Sequence, residues 1–261
     1  MGKAVVMSTY GILKHQHTSL QFSDSRDQQH HDIEKLFAKG TSYPIKTGTE
    51  SAKLDQGNDN HRFLVEFAEK FNHAIHFAEG NWVAIDRDIV KRGSLRKGRV
   101  FVAGTEHLFG RQRDREFPTV TFRHEDDRMG RFGVAGFHYS THGKLPNNPN
   151  WDTNRVYAHK IFDQMDEWDE ADIIALGAGD FNMIDAIRGQ DWAFGKAFTS
   201  MADELGRYKD TGHGPIDGFV SMDRQKRVKA LDFQVLRDNK LHLYADHFVC
   251  RGTWRIRHLK L

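Results

Sequence analysis

Asp172-Ile173-Ile174-Ala175-Leu176-Gly177 runs, after Ala178, into Gly179-Asp180-Phe181-Asn182. A short unbroken apolar run closed by glycine reads as a strand buried on both faces. Asp180 and Asn182 are two residues apart, so on an extended chain both fall on one face at the carboxyl end of that strand. Apolar neighbours would hold such groups rigidly, as a reactive centre requires. The plainer reading of the same tetrad is a Gly-Asp turn closed by an Asx hydrogen bond. Gly177-x-Gly179 also resembles the start of a dinucleotide loop, but Asn182 stands where the third glycine would be.

Working outward, Tyr157, Ile161, Met165 and Trp168 form an apolar stripe at helical spacing just before the strand. Upstream, Trp82 to Ile85, Val100 to Val102, Val120 to Phe122 and Phe132 to Phe137 read as strands divided by charged turns. Asp59 or Asn60 is placed to cap a helix in which Phe63, Phe67 and Phe71 recur every four residues. Ala4 to Met7 opens the chain as a strand, followed by a His- and Gln-rich loop from His15 to His31. Downstream, 192–205 reads as helical, and strands return over 216–222, 230–236, 241–244 and 248–256. There is no repeat, no Pro-rich linker and no abrupt shift in composition, which predicts one domain over residues 1–261.

Hydrophobic residues make up 38% of the 261 residues and charged residues 28%, a profile that excludes a disordered or membrane-spanning chain. No run approaches the roughly 20 apolar residues of a membrane span. The first residues lack the apolar stretch of a secretory signal, so the expected location is cytoplasmic. Cys250 is the only cysteine, which excludes an internal disulfide and a cysteine-based zinc site. A net charge of +2 announces no broad basic field. Local clusters do exist: Lys91-Arg92, Arg96-Lys97-x-Arg99, Arg111 to Arg115, and Arg251 to Lys260. They read equally as solvated surface or as a track for a phosphate backbone.

Cleaving a phosphodiester needs positive charge against the phosphoryl oxygens, a group to orient or deprotonate water, and help for the leaving oxygen. Four places suit that demand. Asp180 and Asn182 are the first. Tyr244-Ala245-Asp246-His247-Phe248 is the second, pairing a carboxylate with an imidazole. Gly214-Pro215-Ile216-Asp217-Gly218-Phe219 is the third, where a carboxylate on an apolar strand needs a partner, for which His247 is the candidate. The fourth combines Glu50, in Lys46-Thr47-Gly48-Thr49-Glu50, with the strand-end His138 in Phe137-His138-Tyr139-Ser140-Thr141-His142. His142 competes with His138 for that place. His73 and His76, at helical spacing, lack a third ligand and are assigned no metal.

Taken in order, Glu50, His138, Asp180-x-Asn182, Asp217 and Asp246-His247 resemble the endonuclease/exonuclease/phosphatase superfamily, over nearly the whole chain. The resemblance implies an α+β fold, a deoxyribonuclease I-like four-layer sandwich of two mixed sheets with helices outside. It implies an essential Mg²⁺ or Mn²⁺ held by Glu50 and Asp246. Asp180 would activate the attacking water, Asn182 would hold it or a phosphate oxygen, Asp217 would pair with His247 on the phosphate, and His138 would assist the leaving oxygen. DNA is the expected substrate, with a small or lipid phosphoester, or a silent binding module, as alternatives. One departure stands out: where the superfamily has an asparagine closing the first strand, Thr9-Tyr10-Gly11 offers a glycine.

Overall fold

The computed structural model describes residues 7–16, 34, 37–38, 43–49, 59–104, 106–107, 110–111, 114–139, 147–148, 150–182, 198–209, 217–236 and 249–259. Two six-stranded sheets carry the fold. The first takes the order β13 (Val228–Leu236), β14 (Val249–Arg257), β1 (Met7–Gln16), β2 (Ile45–Thr49), β4 (Asn81–Asp86) and β3 (His73–Ala78). The second takes the order β11 (Phe198–Ser200), β12 (Asp217–Met222), β10 (Ile173–Asp180), β9 (Arg131–His138), β8 (Arg115–Arg123) and β5 (Arg96–Val102). A short hairpin, β6 (Glu106–His107) with β7 (Gly110–Arg111), stands apart from both.

Both sheets are mixed in the same way. Each has one parallel pair at its centre, β1 with β2 and β10 with β9, flanked on both sides by antiparallel pairs. A parallel pair needs a long crossover, and between β9 and β10 it includes the helix Trp151–Glu170. The stripe read from the sequence faces inward: Tyr157, Ile161, Met165 and Trp168 are all buried. Each such burial contributes roughly 1.5–3 kcal/mol. Trp168 lies flat over Gly133 of β9, where any Cβ would enter its ring.

Faces follow from strand alternation. Gly133 and Gly177 point at the helix, at Trp168 and Met165, so odd residues of β9 and β10 face outward to that layer. Even residues face the other sheet, as Gly136 does against Val83. Phe219 of β12 reaches Trp254 of β14 with ring centroids 5.8 Å apart, closing the gap between sheets. On the far side of the first sheet the helix Asp59–Lys70 buries Leu64 and Ala68 against Trp82, Ala84 and Phe37. Helix, sheet, sheet and helix thus form the four layers expected.

Three local readings change. His73 and His76 sit on strand β3, not on a helix, so their odd spacing sends them to opposite faces. Of 192–205, the described part is a strand, Phe198–Ser200, and one helical turn, Met201–Glu204. Pairing with β12 decides this, overriding local preference. β1 continues through Gly11 to Gln16, past the point where the polar composition suggested a loop, because it is bonded on both sides. Among the described residues no helix is long and apolar enough to cross a membrane.

Candidate active site

The row that matters crosses three strands. Asp180 ends β10 and is paired in register with His138 on β9 and with Asp217 on β12. All three positions fall on the face toward the first sheet. Asp180 and Asp217 are each 1% exposed. Paired residues on neighbouring strands have Cβ atoms roughly 4.5–5.5 Å apart, so two carboxylates and an imidazole share one small volume. Nε2 of His138 lies 3.7 Å from Oδ2 of Asp180, too long for a hydrogen bond but close enough for a strong field.

The tetrad obeys both of its sequence readings at once. The strand stops at Asp180, and Asn182 takes a left-handed conformation, φ 45°. Its backbone N–H donates to Oδ1 of Asp180 at 2.8 Å, an Asx turn. Asn182 therefore is not a second strand residue facing the same way as Asp180; the turn sets its direction. Its Nδ2 donates to the Tyr139 carbonyl at 3.0 Å, while the Tyr139 N–H donates to the Asp180 carbonyl at 2.9 Å. Among the described residues, nothing else bonds the second amide hydrogen or Oδ1 of Asn182. Behind this lattice Phe137, Phe181, Phe117 and Tyr157 enclose the Tyr139 ring. Burial pushes the Tyr139 phenol well above its ordinary pKa, so it stays neutral. Gly179 is obligatory here, since a Cβ would overlap the Phe137 carbonyl.

Glu50, Asp246, His247 and the competing His142 lie outside the described residues. Their nearest described neighbours can be placed. Thr49 ends β2, fully buried, and β2 packs on β9 and β10. Leu259, past the end of β14, donates its N–H to the Arg128 carbonyl, just before β9 begins. The last residue of β9, His138, and the first of β14, Val249, therefore share the opposite end of the sandwich. Gly11 is not at a strand end: it pairs with Thr253, and β1 runs on to Gln16, level with Thr49. The residue that closes the first strand is thus Gln16, in a stretch whose polar composition reads as a loop.

Oxygen donors such as these suit a hard divalent cation. Two neighbouring buried carboxylates also favour one, since like charges side by side in low dielectric are costly. Among the described residues no three His, Cys, Asp or Glu side chains converge on a point that could hold a metal. The pair named for it, Glu50 and Asp246, is in the part left undescribed.

No family model and no curated protein sequence matches the chain. Solved structures do. TDP2 of D. rerio, complexed with single-strand DNA product, is similar at TM-score 0.70 and 14% identity, over 95% of this chain and 99% of that one. An endonuclease/exonuclease/phosphatase of Bacteroides vulgatus is similar at TM-score 0.67 and 14% identity, over 96% of this chain and 100% of that one. The fold is that of the endonuclease/exonuclease/phosphatase proteins. On the same endonuclease/exonuclease/phosphatase-type fold stands a mannosyl-6-phosphatase of Bacteroides thetaiotaomicron, similar at TM-score 0.61 and 13% identity, over 94% of this chain and 99% of that one. One fold serving a DNA-bound protein and a sugar phosphatase leaves the reaction to be argued from the site.

Proposed function

We propose that the protein is a divalent-metal-dependent phosphodiesterase that hydrolyses DNA, folded as one domain over residues 1–261. The observation that carries this is the register of His138, Asp180 and Asp217, a half-buried imidazole beside two buried carboxylates at the sandwich end that holds His138 and Val249. A Mg²⁺ or Mn²⁺ held by Glu50 and Asp246 would supply charge neutralisation at the phosphoryl oxygens. Asp180, steadied through Oδ1 by the Asn182 N–H, offers Oδ2 to take a proton from the attacking water. Asn182 anchors that turn and presents its remaining amide hydrogen to the water or a phosphate oxygen. His138 donates a proton or hydrogen bond toward the departing oxygen. Asp217 orients His247, fixing its tautomer and favouring its charged form next to the phosphate.

Plasmid nicking in Mg²⁺ by the purified protein tests the reading. Asp180→Asn keeps the shape and loses the proton acceptor, so activity should drop by about 10²–10⁴. Undiminished nicking by that variant, or none by the wild type, would overturn it. The sugar phosphatase on the same fold supports a second reading, a small phosphoester as substrate. Turnover of sugar phosphates without plasmid nicking would select it.

A further inference from the structure

The catalytic row extends beyond His138. On β5, Val100 and Val102 are buried and Lys97, Arg99 and Phe101 are exposed. Val100 pairs with Phe117, whose ring meets Tyr157 of the Trp151–Glu170 helix, so the buried valines face that helix. Lys97, Arg99 and Phe101 therefore share the other face, the one that carries Asp180. β5 is the edge strand of its sheet, and these three side chains stand exposed on it. Phe101 is 53% exposed, more than the other exposed large apolar residues described, Tyr208 and Val156.

Register places Phe101 along the strand. It pairs with Glu116 on β8, and continuing the β8–β9 pairing past Thr119 with Ala135 brings Glu116 level with His138. Asp217, Asp180, His138, Glu116 and Phe101 thus form one row on one face. Three strand steps separate Asp180 from Phe101, about 14 Å at roughly 4.8 Å per step. A stacked strand rises about 3.4 Å per nucleotide, so that gap is about four nucleotides.

Resting on the nuclease reading, we infer that Phe101, with Arg99 and Lys97 two and four residues back along the same face of β5, is a base-stacking platform for a single-stranded stretch of nucleic acid about four nucleotides from the reacting phosphate. An exposed aromatic between a cationic stripe and a phosphate-cleaving centre is what a polynucleotide rewards: every base has a face to stack. The carboxylates nearby limit the charge. Arg99 is held by Glu116 at 2.9 Å, and Glu79 lies close to Glu116 and Asp114. Lys97 has no ion-pair partner among the described residues. Affinity here comes chiefly from stacking, with about one phosphate contact. That chemistry also selects against a peptide strand on the β5 edge, because the Gly98 carbonyl is already bonded to His76 Nε2 at 2.7 Å.

The test is fluorescence anisotropy of a labelled 15-mer of deoxythymidine with the full chain in EDTA, alongside hydrolysis of bis(4-nitrophenyl) phosphate in Mg²⁺. Phe101→Ala should weaken binding about 10-fold, within the range for one stacked base, and leave small-diester turnover within about 2-fold. Phe101→Trp should restore binding and show fluorescence quenching by the oligonucleotide. Lys97→Ala should lower the salt slope by about 0.7. Equal binding by wild type and Phe101→Ala, or an unquenched Phe101→Trp, would overturn the inference while turnover of the small diester kept the hydrolase reading intact. Conversely, Phe101-dependent binding without any hydrolysis would refute the hydrolase and uphold the platform.

Discussion

Asp180 shows how much one side chain depends on its neighbours. Its carboxylate is held by the Asn182 N–H, its backbone carbonyl by Tyr139, and its strand by the absence of a Cβ at Gly179. Gly179→Ala would drive a methyl into the Phe137 carbonyl, and backbone cannot swing away as a flexible side chain can. Unfolding in guanidinium should show a loss of about 3 kcal/mol, the size seen for overpacking of a tight site. Activity per folded molecule should fall as well, since β9 and β10 could no longer hold His138 and Asp180 in step. A variant as stable as the wild type would mean the two strands are further apart than described. In the sequence, Gly179 read as part of a turn; its real reason is the neighbouring strand, which no local pattern announces.

At the scale of the element, β2 and β3 carry a buried pair apart from the row of His138, Asp180 and Asp217. Lys46 Nζ donates to Nε2 of His73 at 2.6 Å and to the Tyr43 carbonyl at 2.9 Å; His73 Nδ1 donates to the Phe71 carbonyl at 2.6 Å. Burial, opposed by the charge of Asp86, lowers the Lys46 pKa to about 8. Burial and then the charge of Lys46 lower that of His73 to about 4. The folded protein thus resists protonating His73, whereas the unfolded chain takes up that proton below about pH 6.5. Stability from this group is therefore complete above pH 6.5 and lost as pH falls toward 4, with a slope of up to about 1.4 kcal/mol per pH unit. Lys46 acts in the same sense at higher pH, adding stability as pH rises from about 8 to its unfolded value. Denaturation curves at pH 4.5, 5.5 and 7 should show the acid slope in wild type and a shallower one in His73→Asn. Equal slopes would mean that His73 is protonated in the fold. Legibility varied by element for physical reasons. The Trp151–Glu170 helix and β10 were plain because their packing partners impose a simple period on the sequence. β3, β11 and the end of β1 were not, since pairing with other strands holds their polar residues extended.

Across the whole molecule, the end opposite the row of His138, Asp180 and Asp217 is tied by charge. Arg227, 4% exposed, meets Asp172 at 3.2 Å and Asp223 at 3.7 Å, joining the start of β10 to the β12–β13 turn. Arg224 binds Asp166, Asp169 and Glu170 at the end of the long helix. Removing one member of a buried pair strands the other, so Arg227→Ala should cost about 3–5 kcal/mol in chemical unfolding. Because His138, Asp180 and Asp217 lie at the far end of their strands, the folded variant should keep kcat/KM within about 2-fold. A large loss of activity at full stability would show that the two ends are coupled. By itself the sequence determined the periodic elements, a mix of strands with a few helices, and the order of the polar residues, because burial and chemistry leave their mark on local pattern. Only the tertiary structure decided that Asp180 stands level with His138 and Asp217, that Gln16 rather than Gly11 closes the first strand, and that Phe101 lies in the same row. Those facts are matters of register between strands distant in the chain, and a shift of one residue would send each side chain to the other face.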